Sequence, residues 1–309
     1  MIQTTQKTAN VTAAVVDDVV AGRLAPGDRV PSVRALADRI GCSPGTAARA
    51  YGRLRVAGVI AGVPKARAVV TPDAVARALA MRARVGTLCL SGSDDPALDL
   101  LLRSIGPAVE RADGGRGSVA GLGLLAQGGA DAAAVHLRDL RTGRSNDTFA
   151  RMALGGRPAT LVHLWSREQG IVVLKGNPLG VREPADLAGR ALAWRRPGTG
   201  SRLLLARALR AAGVHPQPEG EVCDSHLGVA VAVATGAADA GVAVRSAAET
   251  VDADFIPLEW EDFELAVEPG SMALLGPLID VLAASSTQDR LAGLSGYDLR
   301  RSGELRVAA

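Results

Sequence analysis

ALAWRRPGTGSRLLLARALRAAG, residues 191–213, is a short apolar strand, a loop of glycines and hydroxyls, and then an apolar-periodic helix. Gly198 and Gly200 let backbone N–H groups come close to a guest, and Thr199 and Ser201 add hydroxyls. The helix that follows points the positive end of its dipole at the same spot. Arg202, with Arg195 or Arg196, can supply a full positive charge. No lysine follows the last glycine, and the loop is too short for a dinucleotide fingerprint, so a nucleotide site is not indicated. Helix capping without any ligand is the competing account, since Ser, Thr and Gly serve that purpose widely. Two further turns repeat the arrangement: Ser91-Gly92-Ser93 before one helix, and Gly117-Ser118 at the start of another. Three such loops together describe a cleft for a small anion or a carboxylate-bearing molecule.

Around this unit, short apolar strands alternate with helices. LVHLWS at 161–166, AADAGVAV at 237–244 and DFIPLEWEDFELAV at 254–267 read as strands, and 118–125 as a helix. That alternation argues for an open α/β architecture, whose ligands lie outside the carboxyl ends of the strands. Arg167 and Glu168, adjacent opposite charges before Gly170, suit an interlobe turn, or Glu168 is solvated. His226 either donates to an anion or makes a structural hydrogen bond at a helix start. His136 and Asn146 fit lobe-stabilising roles, and Asp239 fits a turn cap or a cross-cleft pair.

The chain has 309 residues, 48% hydrophobic but only 3% aromatic, so two or three domains with aliphatic cores are expected. Its charge is divided unevenly. Residues 1–85 hold 13 Lys and Arg against five Asp, a net +8, whereas residues 86–309 hold 22 basic and 27 acidic side chains. A basic head on a mildly acidic body suggests an anionic polymer as partner of the head alone. Cys42, Cys89 and Cys223 show no paired spacing, which fits a reducing compartment. Asp17 and Asp18 interrupt the first apolar segment, and no apolar run is long enough to span a bilayer. A cytoplasmic protein with no membrane partner is expected.

The head reads as helices joined by tight turns. Helical spacing runs from Asn10 to Ala21, and Gly22 ends it. Ser32 caps SVRALADRI, whose face is Val33, Leu36, Ala37 and Ile40; Gly41-Cys42 breaks it. Ser43 caps a next helix with Pro44 in its first position and Ala47, Ala50, Tyr51 and Leu54 on its face. VIAGVPKARAVVTP, residues 59–72, then forms two short strands around a turn. The order is that of a winged helix-turn-helix, an α+β N-terminal domain over residues 1–71, whose second helix enters the major groove. Arg34 and Arg49 are the candidates for base edges or nearby phosphates. Ser32, Ser43 and Thr46 are candidates for phosphate hydrogen bonds, and Lys65 and Arg67 for the wing. AVARALAMRARV extends a linker helix over residues 72–85, either a rigid spacer or a transmitter of body movement.

The head resembles the DNA-binding domain of GntR-family transcriptional regulators, through LAPGDRVPSVRALA at 24–37 and Thr46-Ala47-Ala48-Arg49-Ala50-Tyr51 followed by Leu54. Pro44 and Gly45 stand where many relatives have arginine after the serine, and the usual Gly-Thr-Phe of the wing is missing. The resemblance implies a homodimer on double-stranded operator DNA with inverted repeats. Residues 86–309 resemble a two-lobed α/β periplasmic-binding-protein-like domain, in the intracellular version related to molybdate-binding proteins. The carrying motifs are SGSDDPAL at 91–98, His136-Leu137, REQG at 167–170, GNP at 176–178, GTGSR at 198–202, Ser225-His226 with Val229-Ala230, and Gly236 with Ala238-Asp239-Ala240-Gly241. The resemblance implies that residues 86–165 and 258–309 form one lobe and 166–257 the other, closing around a ligand. Ala193-Trp194 replaces an Asn of the relatives, and Ser225 replaces a commoner Thr, so a larger organic acid stands beside a molybdate-like oxyanion. The ligand residues expected are Ser91, Ser93, Ser118, Trp194, Thr199, Gly200, Ser201, Arg202 and His226.

A ligand-responsive transcription regulator follows, in which a small anionic ligand closes the lobes and alters operator affinity. A constitutive DNA-binding regulator with a degenerate ligand body is the alternative. An enzyme is disfavoured: Asp94-Asp95, the hydroxyls and His226 form no nucleophile motif, and no metal-ligand spacing or cofactor fingerprint is present. No cofactor, metal or catalytic residue is assigned.

Overall fold

Capping residues set the head's helices. The computed structural model describes residues 3–62, 67–83, 86–139, 141–156, 159–215 and 220–308. Helix α1 spans Gln3–Val20, longer than its apolar pattern. Helix α2 spans Val33–Ile40; the Ser32 hydroxyl accepts from Ala35 N, and Gly41 ends the helix at φ +70°. Helix α3 spans Pro44–Val56, and the Ser43 hydroxyl accepts from Thr46 N. Strands β1, Ile60–Ala61, and β2, Val69–Val70, form the antiparallel wing, and α4 follows at Ala74–Ala83. The turn of the wing, with Lys65, lies outside the described residues. Val11, Val15 and Val19 of α1 close over Leu36 of α2 and Ala47, Ala50 and Leu54 of α3. The buried Tyr51 hydroxyl donates to Pro31 O at 2.7 Å, tying α3 to the turn before α2, and burial pushes its pKa up to about 12.

The body is built on one curled mixed sheet. Strands β3 (Leu88–Gly92), β4 (Val109–Arg116) and β5 (Ala132–Val135) lie parallel at one end, with β3 in the middle. Helices α5 (Pro96–Ile105), α6 (Ser118–Ala126) and α7 (Asp147–Ala153) belong to this end. Strand β6 (Thr160–Val173) then leads to the other end, where β7 (Leu192–Arg195), β8 (Val222–Cys223) and β9 (Ala240–Val244) are flanked by α8 (Gly200–Ala211), α9 (His226–Ala234) and α10 (Arg245–Thr250). Strand β10 (Asp254–Val267) returns to the first end, followed by α11 (Gly276–Ala283), α12 (Ser285–Ala292), β11 (Tyr297–Asp298) and β12 (Leu305–Val307). The strand order is β4-β3-β5-β10-β6-β9-β7-β8, with β11 and β12 also on β6. Among the described residues no single helix is long and apolar enough to cross a membrane.

The two ends are therefore joined by two long antiparallel strands. Sequence patterning places a turn at Arg167–Gly170, but β6 runs through it without a break. The reason is a partner about ninety residues away: Gln169 pairs with Glu259, and Gly170 with Pro257 on one side and Ala243 on the other. Gly170 is small because a Cβ there would lie 2.2 Å from Ile256 O. The β6–β10 ladder shifts register between Pro257 and Glu259 and between Phe263 and Glu264, bracketing the crossing. Such bulges bend and twist a pair locally, which lets one ladder serve two halves.

Candidate ligand cleft and DNA-facing head

Helix starts from both halves meet beside this crossing. Asp95 caps α5, accepting from Ala97 N at 2.7 Å and Leu98 N at 3.1 Å. Ser118 opens α6, its hydroxyl 2.8 Å from that of Ser93 and accepting from His136 N at 3.1 Å. From the other half, Gly200 opens α8, and Ser225 caps α9 by accepting from Gly228 N at 2.9 Å. The halves touch: a Cβ on Gly200 would lie 2.3 Å from His136 Cε1, and one on Gly117 would lie 3.3 Å from Gly198 O. Arg195 Nη2 donates across the seam to Asp94 Oδ1 at 2.6 Å and also to Asp224 O at 2.9 Å. The cleft is closed in this state.

Its floor comes from β6 and β10. Side chains two apart on a strand share a face, so Trp165, Arg167 and Gln169 stand together, as do Glu261 and Phe263. Arg167 is fully buried; its Nε donates to Glu261 Oε1 at 2.8 Å, its Nη1 pairs with Asp95, and it lies 4.5 Å from the Phe263 ring centroid. Glu261 also accepts from Gln169 Nε2 at 2.5 Å and pairs with His136 Nδ1 at 3.0 Å. Tyr297 donates to Asp95 at 3.0 Å. Burial pushes the Glu261 carboxyl up, but the fields and hydrogen bonds of His136 and Arg167 outweigh it and hold the pKa at about 2. For Asp95 burial wins over Arg167, and its pKa rises.

Among the described residues, four buried atoms at this junction that can donate, Arg167 Nη2, Arg195 Nε, Ser201 Oγ and His226 Nδ1, have no hydrogen-bond partner, and neither do Trp165 Nε1 and Gln169 Oε1 on its floor. Buried donors are nearly always paired, so a set of them facing a seam is itself informative. Burial, then the fields of Arg195, Arg167 and His136, push the His226 pKa well below its ordinary value, so this ring is neutral near pH 7.

That shift has a pH consequence. The folded imidazole refuses a proton that the unfolded chain accepts below about pH 6.5, so this group's contribution to stability is lost as pH falls from there. Asp95, with its raised pKa, acts in the opposite sense, and Glu261 contributes only from about pH 4.5 down. The expected signature is hence a difference: His226→Gln flattens the fall of Tm between about pH 6.5 and 5 relative to the parent. Parallel Tm curves for the two proteins would contradict it.

The expected ligand residues divide between the seam and the lobe interiors. Ser93, Ser118, Gly200, Ser201 and His226 lie at the seam. Ser91 is turned inward, its hydroxyl donating to Gly121 O and Ala132 O at 3.1 Å each. The Thr199 hydroxyl closes its own loop on Arg196 O at 2.8 Å. Trp194 lies in a core cluster with Leu192, Leu204, Leu205 and Val242, and Arg202 covers its ring at 5.0 Å. Arg195, the neighbour of Trp194, takes the cleft side, whereas Arg196 is exposed and pairs with Asp224. Gln169, Glu261, Asp95 and Tyr297 were not expected here, and Arg167 was expected between the lobes only as part of a turn. The legible signal was Arg167 and Gln169 at period two inside an apolar strand. Glu168 pairs with Arg245 at 2.6 Å, and Asp239 accepts from Ala191 N at 2.9 Å. Elsewhere on these strands His163, Asp262 and Glu264 have ligand atoms within 4.8 Å of one another, but Arg306 already holds Glu264 at 2.7 Å.

In the head, Arg34 and Arg67 are exposed. Ser32 and Ser43 are exposed caps, and Thr46 is buried with its hydroxyl 2.8 Å from that of Ser43. Arg49 is partly covered and lies 3.7 Å from Glu268 of the body.

Residues 7–70 match the model of bacterial regulatory proteins of the gntR family, and residues 106–282 match that of the PBP superfamily domain. The chain is 30% identical over 223 residues to the uncharacterized protein YvgK of Bacillus subtilis (strain 168), covering 70% of this chain and 72% of that protein. It is 32% identical over 109 residues to an uncharacterized Clostridium pasteurianum protein from the 5′ region of a 2Fe-2S ferredoxin gene, covering 33% of this chain and 96% of that one. Similar solved structures include the tungstate ABC transporter from Geobacter sulfurreducens, at 18% identity and TM-score 0.47, covering 67% of this chain and 98% of that one. An ABC-type phosphate transport receptor from Vibrio cholerae aligns at 17% identity and TM-score 0.45, covering 68% of this chain and 98% of that one.

Proposed function

The chain belongs to the PBP superfamily and carries a gntR-family head, and from that membership we propose a transcription regulator that binds operator DNA as a homodimer and senses a small anion between its lobes. One observation carries the anion: Arg167 Nη2, Arg195 Nε, Ser201 Oγ and His226 Nδ1 are buried at one seam and have no partner among the described residues. Two guanidinium N–H groups, a hydroxyl and a neutral imidazole, beside the amino ends of α6, α8 and α9, suit an oxyanion or a carboxylate. With Trp194 in a lobe core, the recognition is polar and the guest compact, a molybdate-like tetrahedral oxyanion or a short organic acid. Arg34, Arg49, Lys65 and Arg67 supply positive charge to the DNA, with the exposed Ser32 and Ser43 near the phosphates, while Thr46, expected among them, is buried against the Ser43 hydroxyl and supports that cap instead.

Isothermal titration with molybdate, sulfate, phosphate and short mono- and dicarboxylates tests the cleft. Ser201→Ala is expected to weaken the bound anion by about tenfold or more, the loss of one hydrogen bond to a charged group. Its Tm without ligand and its DNA affinity should stay at the parent values. An unchanged Kd removes Ser201 from the site, and a panel in which nothing binds removes the anion. Gel shift of an inverted-repeat duplex with and without the bound anion tests the regulation, and affinity should fall steeply with salt.

A further inference from the structure

Helix α3 has two faces. Ala47, Ala50, Tyr51 and Leu54 are buried in the head, and Gly45, Arg49, Gly52 and Val56 recur at helical spacing on the opposite side. In a helix-turn-helix head the face away from the core is the one that enters the groove. Here much of that face is already occupied by the same chain.

The occupant is the turn between α6 and β5, residues 127–131, with Ser271 and Glu268 beside it. Contact is close enough to require glycines on both sides. A Cβ on Gly52 would lie 2.3 Å from Gln127 O, a Cβ on Gly128 would lie 3.3 Å from Arg49 O, and a Cβ on Gly129 would lie 2.7 Å from a methyl of Val56. Gly52 is otherwise a poor residue for the interior of a helix, and this approach accounts for it. Charge closes the contact: Arg53 Nη2 donates to Asp131 Oδ1 at 2.7 Å, with both side chains less than a fifth exposed. Asp131 is anchored in turn by Cys89 N at 3.0 Å and the Ser271 hydroxyl at 3.0 Å. Arg49 faces Glu268.

We propose that the body turn 127–131 is a docking seat for the outward face of α3, so that body and DNA compete for one helix. The inference rests on the DNA-binding reading of the head. In the docked state Arg49 is held by Glu268 instead of a phosphate, and the body stands where the walls of the groove would lie. The seat is joined to the ligand cleft by one element. The nine-residue α6 starts at Ser118, inside the cleft, and ends at the seat. A guest that shifts the start of α6 moves the seat with it, which gives the cleft a physical hold on the recognition helix.

A reversible lock tests this. Val56→Cys with Gly129→Cys places two thiols at the contact, close enough for a disulfide. Mass spectrometry identifies the 56–129 bond, and the probe is a duplex selected from a random-sequence pool by the reduced full-length variant at low salt. The oxidised protein is expected to lose at least tenfold in affinity for that duplex and to recover it on reduction. Asp131→Asn, which removes the charge facing Arg53 and leaves one oxygen to accept where there were two, is expected to tighten the same duplex severalfold. Equal binding by oxidised and reduced forms, together with no gain in Asp131→Asn, overturns the seat but leaves the DNA-binding reading standing. No duplex selected by the reduced form or by the parent overturns that reading, and the seat with it.

Discussion

Arg167→Met lowers the unfolding free energy by about 3–5 kcal/mol, the usual effect of breaking a buried ion pair from one side. Methionine keeps most of the length and the contact with Phe263, so little of the loss comes from packing. What remains is Asp95 and Glu261, both buried, without the cation that faces them. Glu261 keeps His136 but loses its second source of stabilisation, so its carboxyl pKa moves up from about 2. Asp95, already raised by burial, rises further. Raised folded pKa values mean that the folded variant binds protons more readily than the folded parent, so acid restores part of the loss. Urea unfolding followed by tryptophan fluorescence reads this, since Trp165 stacks on Phe263 at 5.6 Å. A loss below about 1 kcal/mol, the value for an exposed pair, would falsify the account of the floor.

Gly92→Ala comes next in size, with an expected loss of about 3 kcal/mol from overpacking and backbone strain together. Gly92 ends β3 at φ +96°, a conformation side chains avoid, and its Cβ would lie 2.2 Å from Ala134 O. From above, Gly121 of α6 is equally close, since a Cβ there would lie 2.3 Å from Gly92 Cα. The two glycines let α6 sit directly on the sheet, and that seating puts Ser118 against Ser93. The substitution should therefore weaken the anion as well as the fold, whereas Ser201→Ala affects only the anion. Denaturant midpoints and titration on the same preparations separate the two. A Gly92→Ala protein with parental stability and affinity would show that α6 is free to ride outward.

The head was largely legible because its determinants are local. Ser32, Gly41, Ser43 and Pro44 act within a turn of themselves, and the aliphatic spacing of α2 and α3 needs no distant partner. The glycine–hydroxyl loop at 198–201 was legible for the same reason, and it does open a helix at the seam. The crossing was not. Arg167-Glu168-Gln169-Gly170 has the composition of a turn, yet each residue pairs in the sheet with β10 about ninety positions later. Strand pairing of that separation leaves no mark in a local window. Trp194 shows the same gap on a smaller scale: alternation says that it and Arg195 oppose each other, but not which side holds the cleft.

From its residues alone this chain determines a helix-turn-helix head, an α/β body and polar helix starts, because caps, glycines and periodicity act over a few bonds. Tertiary structure alone decided that Arg167 is a buried charge on the floor of the cleft, that Trp194 belongs to a core, and that α3 lies against the body. Those outcomes depend on which distant carboxylate, sheet face or turn arrives beside a side chain, and only the closed sheet brings them there.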